Sequence, residues 1–531
     1  MPRALVREAV MNPLDGVTLM NGSTASTLDP TLDLEVDLLI VGGRGIDPRS
    51  SLDSLVNVAI SDGTIVSVGP QRPRAKRTID ASGLVVCPGF IDIHSHAQSP
   101  LGLGLQALDG VTTALDLEAG TLPIALQYET AEAEGRPINF GFSASWAVAR
   151  LNVMAGVPLP ARDPLTGELV SAFEVFLRNQ LMPGWHALAA PNQVDRMLGI
   201  LADALGEGAI GIGVLLGYSP DSGREEYFRV AQLAEAAGVP VFTHSRQMSN
   251  LEPLSSVDGA LEILGVAAGS GAHMHICHIN STSLRRIDDV AAAVSTAQAR
   301  GNRVTTEAYP YTISSTGIGA RFLDPGRLDR IGIQPSGITY LPTGRRVENE
   351  AELAHLRATD PGGLCLIDYL DDTSPGDISI LLESFQLAGT VVASDAMPLV
   401  DVNGSYLEGG WPIPPDARVH PRSIGTFCRT FGWLVRETGT LTLHEAILRT
   451  STMPAELLAP FVPAMAKKGR LAPGFDADLT LFDPLTISDR ATAFAVIPSH
   501  GVQYLIVNGL LVIDDNVLDQ SSSAGMPIRS K

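Results

Sequence analysis

Two histidines separated by one residue, His94-Ser95-His96, are the first place in this chain where side chains could do chemistry. On an extended segment, residues two apart point the same way, so both imidazoles can share one metal ion. Further along, His244, His278 and Asp395 each stand at the end of an apolar run, and Asp116 and Glu118 belong to another. A histidine and carboxylate set of this kind suits Zn²⁺, which activates water and polarises a carbonyl. Each residue alone has a plainer reading. The His-x-His could be a surface pair, His244 and His278 satisfied core histidines, Glu118 a solvated loop acid, and Asp395 a turn cap. Their recurrence at strand ends, in order along the chain, joins them.

The elements that must position these residues alternate between apolar strand and amphipathic helix. Strands are predicted at Gly89–His94, Val111–Leu117, Ile138–Ala144, Ala209–Leu215, Val239–His244, His273–His278, Arg303–Ala308 and Thr390–Ser394. Several are continuous apolar runs, as parallel strands covered on both faces require. Glu225–Ala237, with Tyr227, Val230, Leu233 and Ala234 at helical spacing, illustrates an intervening helix. Eight such units predict an α/β fold, a (β/α)8 TIM-type barrel spanning 88–455, whose chemistry sits at the C-terminal strand ends. The long Pro- and Gly-rich interval between the seventh and eighth strands predicts a lid insertion at about 313–380.

Short strands with turn signals lie at both ends of the chain. Segments 36–87 and 456–515 are expected to pair into one small β-sandwich domain, with Asn508-Gly509 as a hairpin turn. Residues 1–35 read as a loose leader. Residues 516–531, rich in Ser and Gly, read as a flexible tail.

The chain has 531 residues, 45% of them apolar, enough for a large core and a second smaller domain. Its formal net charge of −21 argues against a nucleic-acid partner and gives no support for docking on anionic lipid. No apolar run approaches the ~20 residues of a membrane span. The start of the chain does not read as a signal peptide. Four cysteines without CxxC spacing make no disulfide framework, so a reducing, cytoplasmic setting is expected. A homo-oligomer is left open.

The stretch Pro88-Gly89-Phe90-Ile91-Asp92-Ile93-His94-Ser95-His96 resembles the amidohydrolase superfamily, whose first barrel strand ends this way. Over roughly 36–515 the chain is similar to the D-aminoacylase (N-acyl-D-amino-acid deacylase) family. The similarity is carried by Thr243-His244-Ser245-Arg246, Tyr309-Pro310-Tyr311-Thr312, His420-Pro421-Arg422 and Phe482-Asp483-Pro484. The segments Leu115-Asp116-Leu117-Glu118-Ala119-Gly120 and His278-Ile279-Asn280-Ser281 look more like a branch labelled N-acyl-D-glutamate deacylase. The resemblance implies a zinc-dependent hydrolase of carbon–nitrogen bonds acting on a small N-acyl compound. It assigns His94, His96, His244 and His278 to one or two zinc ions and Asp395 to the general base and acid.

Many superfamily members bridge two metals with a carboxylated lysine, but no lysine lies between Lys76 and Lys467 here. Glu118 is the expected bridge instead. Where related D-aminoacylases carry a cysteine one position later, this chain has Ala119. The resemblance places the substrate carboxylate on Tyr309, Ser315 and Arg422; the plainer readings are a core aromatic for Tyr309 and a surface ion pair for Arg422. It also expects a lysine where this chain has Asn280. A substrate carboxylate would then rely more on Arg422 and Arg246, or be missing. Hydrolysis of a cyclic amide, lactone, ester or small peptide, deamination, and a barrel that only binds are the rival readings.

Overall fold

The computed structural model describes residues 35–530, so the leader expected over 1–35 falls, except for Glu35, outside the described residues. Eight parallel strands form the centre of the molecule, in chain order around the ring: Phe90–Asp92, Val111–Thr121, Asn139–Ser145, Ile212–Leu215, Val241–His244, Met274–Ile276, Val304–Ala308 and Thr390–Val392. All eight predicted strands are present. The first and last approach through a Ser95–Ala396 bridge, where His96 N–H donates to the Ala396 carbonyl at 2.8 Å. Val111–Thr121 and Asn139–Ser145 are buried at every position, which explains why they read as continuous rather than alternating runs.

The helix predicted from Glu225 spans Arg224–Ala237. It buries Tyr227, Val230 and Ala234 and ends at Gly238 in the left-handed region. Ile91, Ile93, Leu115, Leu117, Ile210 and Phe242 fill the barrel interior below the mouth. Ala455, Leu458, Val462 and Met465 pack into that same cluster, so residues 456–465, placed with the β-domain on sequence, close the barrel instead.

The interval between the seventh and eighth strands folds into a four-stranded antiparallel sheet of Ile313–Gly317, Leu364–Asp368, Ile338–Tyr340 and Arg345–Arg346, with a helix at Glu350–Thr359. A second excursion, 146–206, separates the third and fourth strands and carries the helix Ala172–Asn179. Strands from the two ends of the chain share one nine-stranded sheet, in which Leu479–Phe482 pairs antiparallel with Val85–Pro88. The sheet curves round a common core of Ile40, Val58, Ile60, Ile65, Ile79, Leu479, Leu481 and Ile506. The hairpin turn at Asn508-Gly509 meets the turn at Gly63, and a side chain at Gly509 would lie 2.7 Å from the Gly63 Cα.

The tail is not loose. Gly525 N–H donates to the Arg136 carbonyl and Ile528 N–H to the Phe140 carbonyl, at 2.8 and 2.7 Å. Tyr128 Oη donates to the Ile528 carbonyl at 2.5 Å. The Ile528 side chain is 2% exposed and joins the cluster inside the barrel. Gly141 permits the approach, because a Cβ there would stand 2.6 Å from the Ile528 oxygen. A Ser/Gly-rich composition pointed to disorder, and one buried isoleucine with its backbone bonds overrides it. Among the described residues, no helix is long and apolar enough to cross a membrane.

Candidate metal centre

The first and eighth strands are tied at the mouth by Asp92. Its carboxylate accepts from His94 N–H at 3.1 Å, Ser394 N–H at 3.0 Å, Gln106 Nε2 at 2.7 Å and Ser394 Oγ. Burial pushes this carboxyl up to about 6, against the pull of the Ser394 donors. The arrangement fixes both His94 and the turn that carries Asp395. On the second strand, pairing with the third breaks between Asp116 and Thr121. Gly120 there takes φ +62° with its α-carbon so close to Ser143 that any Cβ would sit 2.5 Å from the Ser143 carbonyl oxygen. Glu118 lies in this irregular stretch.

Glu118 stands between two groups of imidazoles. Its Oε2 lies 3.2 Å from His94 Nε2 and 3.7 Å from His96 Nε2. Its Oε1 lies 3.1 Å from His244 Nδ1 and 2.8 Å from His278 Nε2. Asp395 Oδ1 is 3.5 and 3.6 Å from the Nε2 atoms of His94 and His96, which are themselves 3.1 Å apart. All six side chains are nearly buried. Ligand atoms of His94, His96 and Asp395, and again of His94, Glu118 and His278, are close enough to converge on one ion. The structure thus brings together His94, His96, Glu118, His244, His278 and Asp395.

A further layer orients the rings. Glu307 meets His94 Nδ1 with one oxygen and His275 Nε2, at 3.0 Å, with the other. Asp116 Oδ1 meets His96 Nδ1 at 3.0 Å and also accepts from Gly120 N–H. Both histidines therefore turn Nε2 toward the centre, as carboxylate-backed metal ligands do. Burial opposes a charge on His94, but Glu307, Glu118 and Asp395 hold its imidazole well above its ordinary value. His96 is likewise raised to about 9, burial being outweighed by Asp116 and Glu118. Glu307 is depressed despite burial, chiefly by His94 and His275. A buried cluster of carboxylates demands positive charge, and a divalent cation answers that demand without protonating the ligands. The donor set fits such an ion. His278 and Asp395 both sit at positive φ, +32° and +52°, a costly conformation that accumulates at functional positions.

Beside this centre lies a cleft of about 450 Å³ lined by Phe173, Phe176, Tyr218, Phe322, Met248 and Ile367 among others. The Phe173 ring stacks on His96 at 4.4 Å. Ser315 lines the cleft too, its hydroxyl bonded to the Cys365 carbonyl. The inserted sheet roofs the cleft through Ser314, Ser315, Thr316 and Ile367, and the excursion at 146–206 supplies the two phenylalanines.

Arg422 is fully buried. Its Nη2 pairs with Asp395 Oδ2 at 2.7 Å, its Nε donates to the Asp395 carbonyl, and its Cζ lies 4.6 Å over the Tyr309 ring. Arg422 Nη1 and Tyr309 Oη are both buried without a partner. Arg246 does not reach this cleft: it pairs with Glu262 at 2.7 Å and donates to the Pro220 and Ser222 carbonyls, lining a separate crevice. Asn280 is a scaffold residue, donating to Tyr369 Oη at 2.8 Å and accepting from Tyr309 N–H at 3.3 Å. The expectation that Arg246 holds a substrate carboxylate is corrected accordingly, and Asn280, standing where the resemblance expects a lysine, has its side chain engaged within the protein. Glu307 and His275 escaped the sequence reading, although an acid within the predicted strand before Ala308 was the available signal.

A family model described as "Amidohydrolase family" matches residues 77–323. The N-acyl-D-glutamate deacylase of Alcaligenes xylosoxydans xylosoxydans is 28% identical over 503 residues, covering 90% of this chain and 94% of that protein. The D-aminoacylase of the same organism is 26% identical, covering 89% and 93%. The crystal structure of N-acyl-D-glutamate deacylase from Bordetella bronchiseptica, complexed with zinc and a phosphonate inhibitor that mimics the tetrahedral intermediate, superposes with a TM-score of 0.71. It is 23% identical to this chain and covers 93% of it and 100% of its own, so the likeness is one of fold.

Proposed function

We propose that this chain, a member of the amidohydrolase family, is a zinc-dependent hydrolase that cleaves the amide bond of an N-acyl-D-amino acid or a related N-acyl compound. The observation that carries the reading is Glu118, one oxygen facing His94 and His96 and the other facing His244 and His278. Those five residues would hold one or two ions. When bound, zinc supplies Lewis acidity, lowering the pKa of water to about 7 and polarising the scissile carbonyl.

Everything else falls to the protein. Asp395 takes the proton from the attacking water and returns it to the departing nitrogen. Arg422 holds Asp395 Oδ2, leaving Oδ1 toward the centre. The unpartnered Arg422 Nη1 and Tyr309 Oη supply donors for a substrate carboxylate. Phe173, Phe176, Phe322 and Met248 favour an apolar group on the remainder of the substrate. The four cysteines are unpaired and buried, which fits the cytoplasm.

One observation favours a second reading. Arg422 already spends Nη2 and Nε on Asp395, so a neutral cyclic amide or lactone would need less from the cleft than a carboxylate does. A hydrolysis screen of the zinc-loaded protein over N-acyl-D- and N-acyl-L-amino acids, hydantoins and lactones separates the two. Turnover of N-acyl-D-amino acids with apolar side chains is expected. Turnover confined to uncharged rings would replace the first reading with the second.

A further inference from the structure

His96 also lines a second cleft, of about 640 Å³, between residues 97–100, the helix Ile124–Glu134 and the segment around Glu408. Nothing in the hydrolysis derived above uses it. Two of its lining residues carry buried polar atoms without partners. Arg136 is 3% exposed, and only its Nη2 is engaged, with Glu134 at 2.5 Å; its Nε and Nη1 have no acceptor. Gln98 anchors its amide nitrogen on the Ser95 carbonyl at 2.9 Å, leaving its Oε1 buried and without a donor. Leaving buried donors of a guanidinium unmet is costly, and burial lowers the Arg136 pKa from its ordinary value. The same cleft presents the carboxylates of Glu134 and Glu408, which face Arg136 electrostatically.

An isolated anion would satisfy Arg136 and be repelled by the two glutamates. A cation would do the reverse. A small molecule with a carboxylate at one end and an ammonium at the other satisfies both sets together: the carboxylate accepts from Arg136, and the ammonium donates to Gln98 Oε1 and the glutamates. We infer that this cleft is a binding site for a free α-amino acid in its zwitterionic form. Resting on the proposed function, the amino acid released by amide hydrolysis is such a molecule, whereas the N-acyl substrate, its nitrogen uncharged, is not. Occupancy of a cleft that reaches His96 would then report product to the metal centre.

Calorimetric titration of the zinc-loaded protein with D-alanine, acetate and methylamine tests this. D-Alanine is expected to bind, with acetate and methylamine each at least tenfold weaker. Arg136→Gln should weaken D-alanine at least tenfold, while Asp395→Asn leaves that site unchanged. Glu134→Gln, at an exposed position that tolerates substitution, should weaken D-alanine yet strengthen acetate, and it serves if Arg136→Gln does not fold. Unchanged D-alanine affinity in both cleft variants overturns the inference, as does loss in Asp395→Asn alone or acetate binding as tightly as D-alanine. Hydrolysis is not read in any arm, so failure of the deacylase reading would show in the substrate screen and not here.

Discussion

Asp395 performs two tasks from one carboxylate, Oδ2 bound to Arg422 and Oδ1 turned toward the Nε2 atoms of His94 and His96. Asp395→Asn keeps the shape and removes the proposed base. Turnover should fall by about 10²–10⁴, the usual worth of general acid–base catalysis, while zinc measured by mass spectrometry stays bound. Substantial residual turnover would assign the proton transfer elsewhere. Glu118→Ala removes the group that faces all four imidazoles, so metal content should drop toward one ion or none; unchanged stoichiometry would show that another residue bridges. At this scale the four converging imidazoles were legible because histidine is rare in apolar strands and marks their ends. Glu307 was not, since it sits inside the seventh strand, where period and polarity say nothing about which ring it backs. Arg246 was misplaced for a related reason: sequence gives its distance from His244 along the chain but not that Glu262 would claim it.

Elements were read well where local sequence suffices. Buried parallel strands are apolar on both faces, so eight of them stood out, and the long interval after Ala308 marked an insertion. What could not be read was where the excursions return. Phe173 and Phe176 reach the metal centre from a helix in 146–206, and nothing in their spacing couples them to His96. Nor does spacing show the joint between barrel and β-sheet. There Lys468 is buried, pairing with Asp478 at 2.6 Å and Asp476 at 3.0 Å, while Asp478 also accepts from Asn139 of the third barrel strand and from Asn508 N–H of the hairpin. Replacing Lys468 with Met takes the counter-ion from buried Asp478 and should cost about 3–5 kcal/mol by urea unfolding. Burial works against the lysine's charge, but the two aspartates raise its pKa above the ordinary 10.5. Its contribution is therefore complete below pH 10.5 and lost as pH climbs through the folded-state value. The stability gap between wild type and Lys468→Met should stay level from neutral pH to about 10 and close above it. A gap that closes nearer neutrality would mean that the pair is not what joins these elements.

At the scale of the whole molecule, the barrel has a mouth that works and a base that must be sealed. Ile528 supplies part of the seal, held by backbone bonds to the third strand and by Tyr128. Ile528→Ala should cost about 2–5 kcal/mol, the usual range for emptying a buried isoleucine site, with little change in zinc content. A loss below about 0.5 kcal/mol in urea unfolding would show the tail to be merely apposed. The seal also dictates an order of events during synthesis. A ribosome delivers the proposed metal ligands, Asp395 and Arg422 by residue 422, but the strands that complete the β-sheet arrive only from Leu479 onward, and Ile528 later still. A nascent chain thus owns its full chemistry while its greasy underside gapes. For that interval the exposed apolar surface and unpaired strand edge invite aggregation, a hazard removed once residues 479–528 are in place.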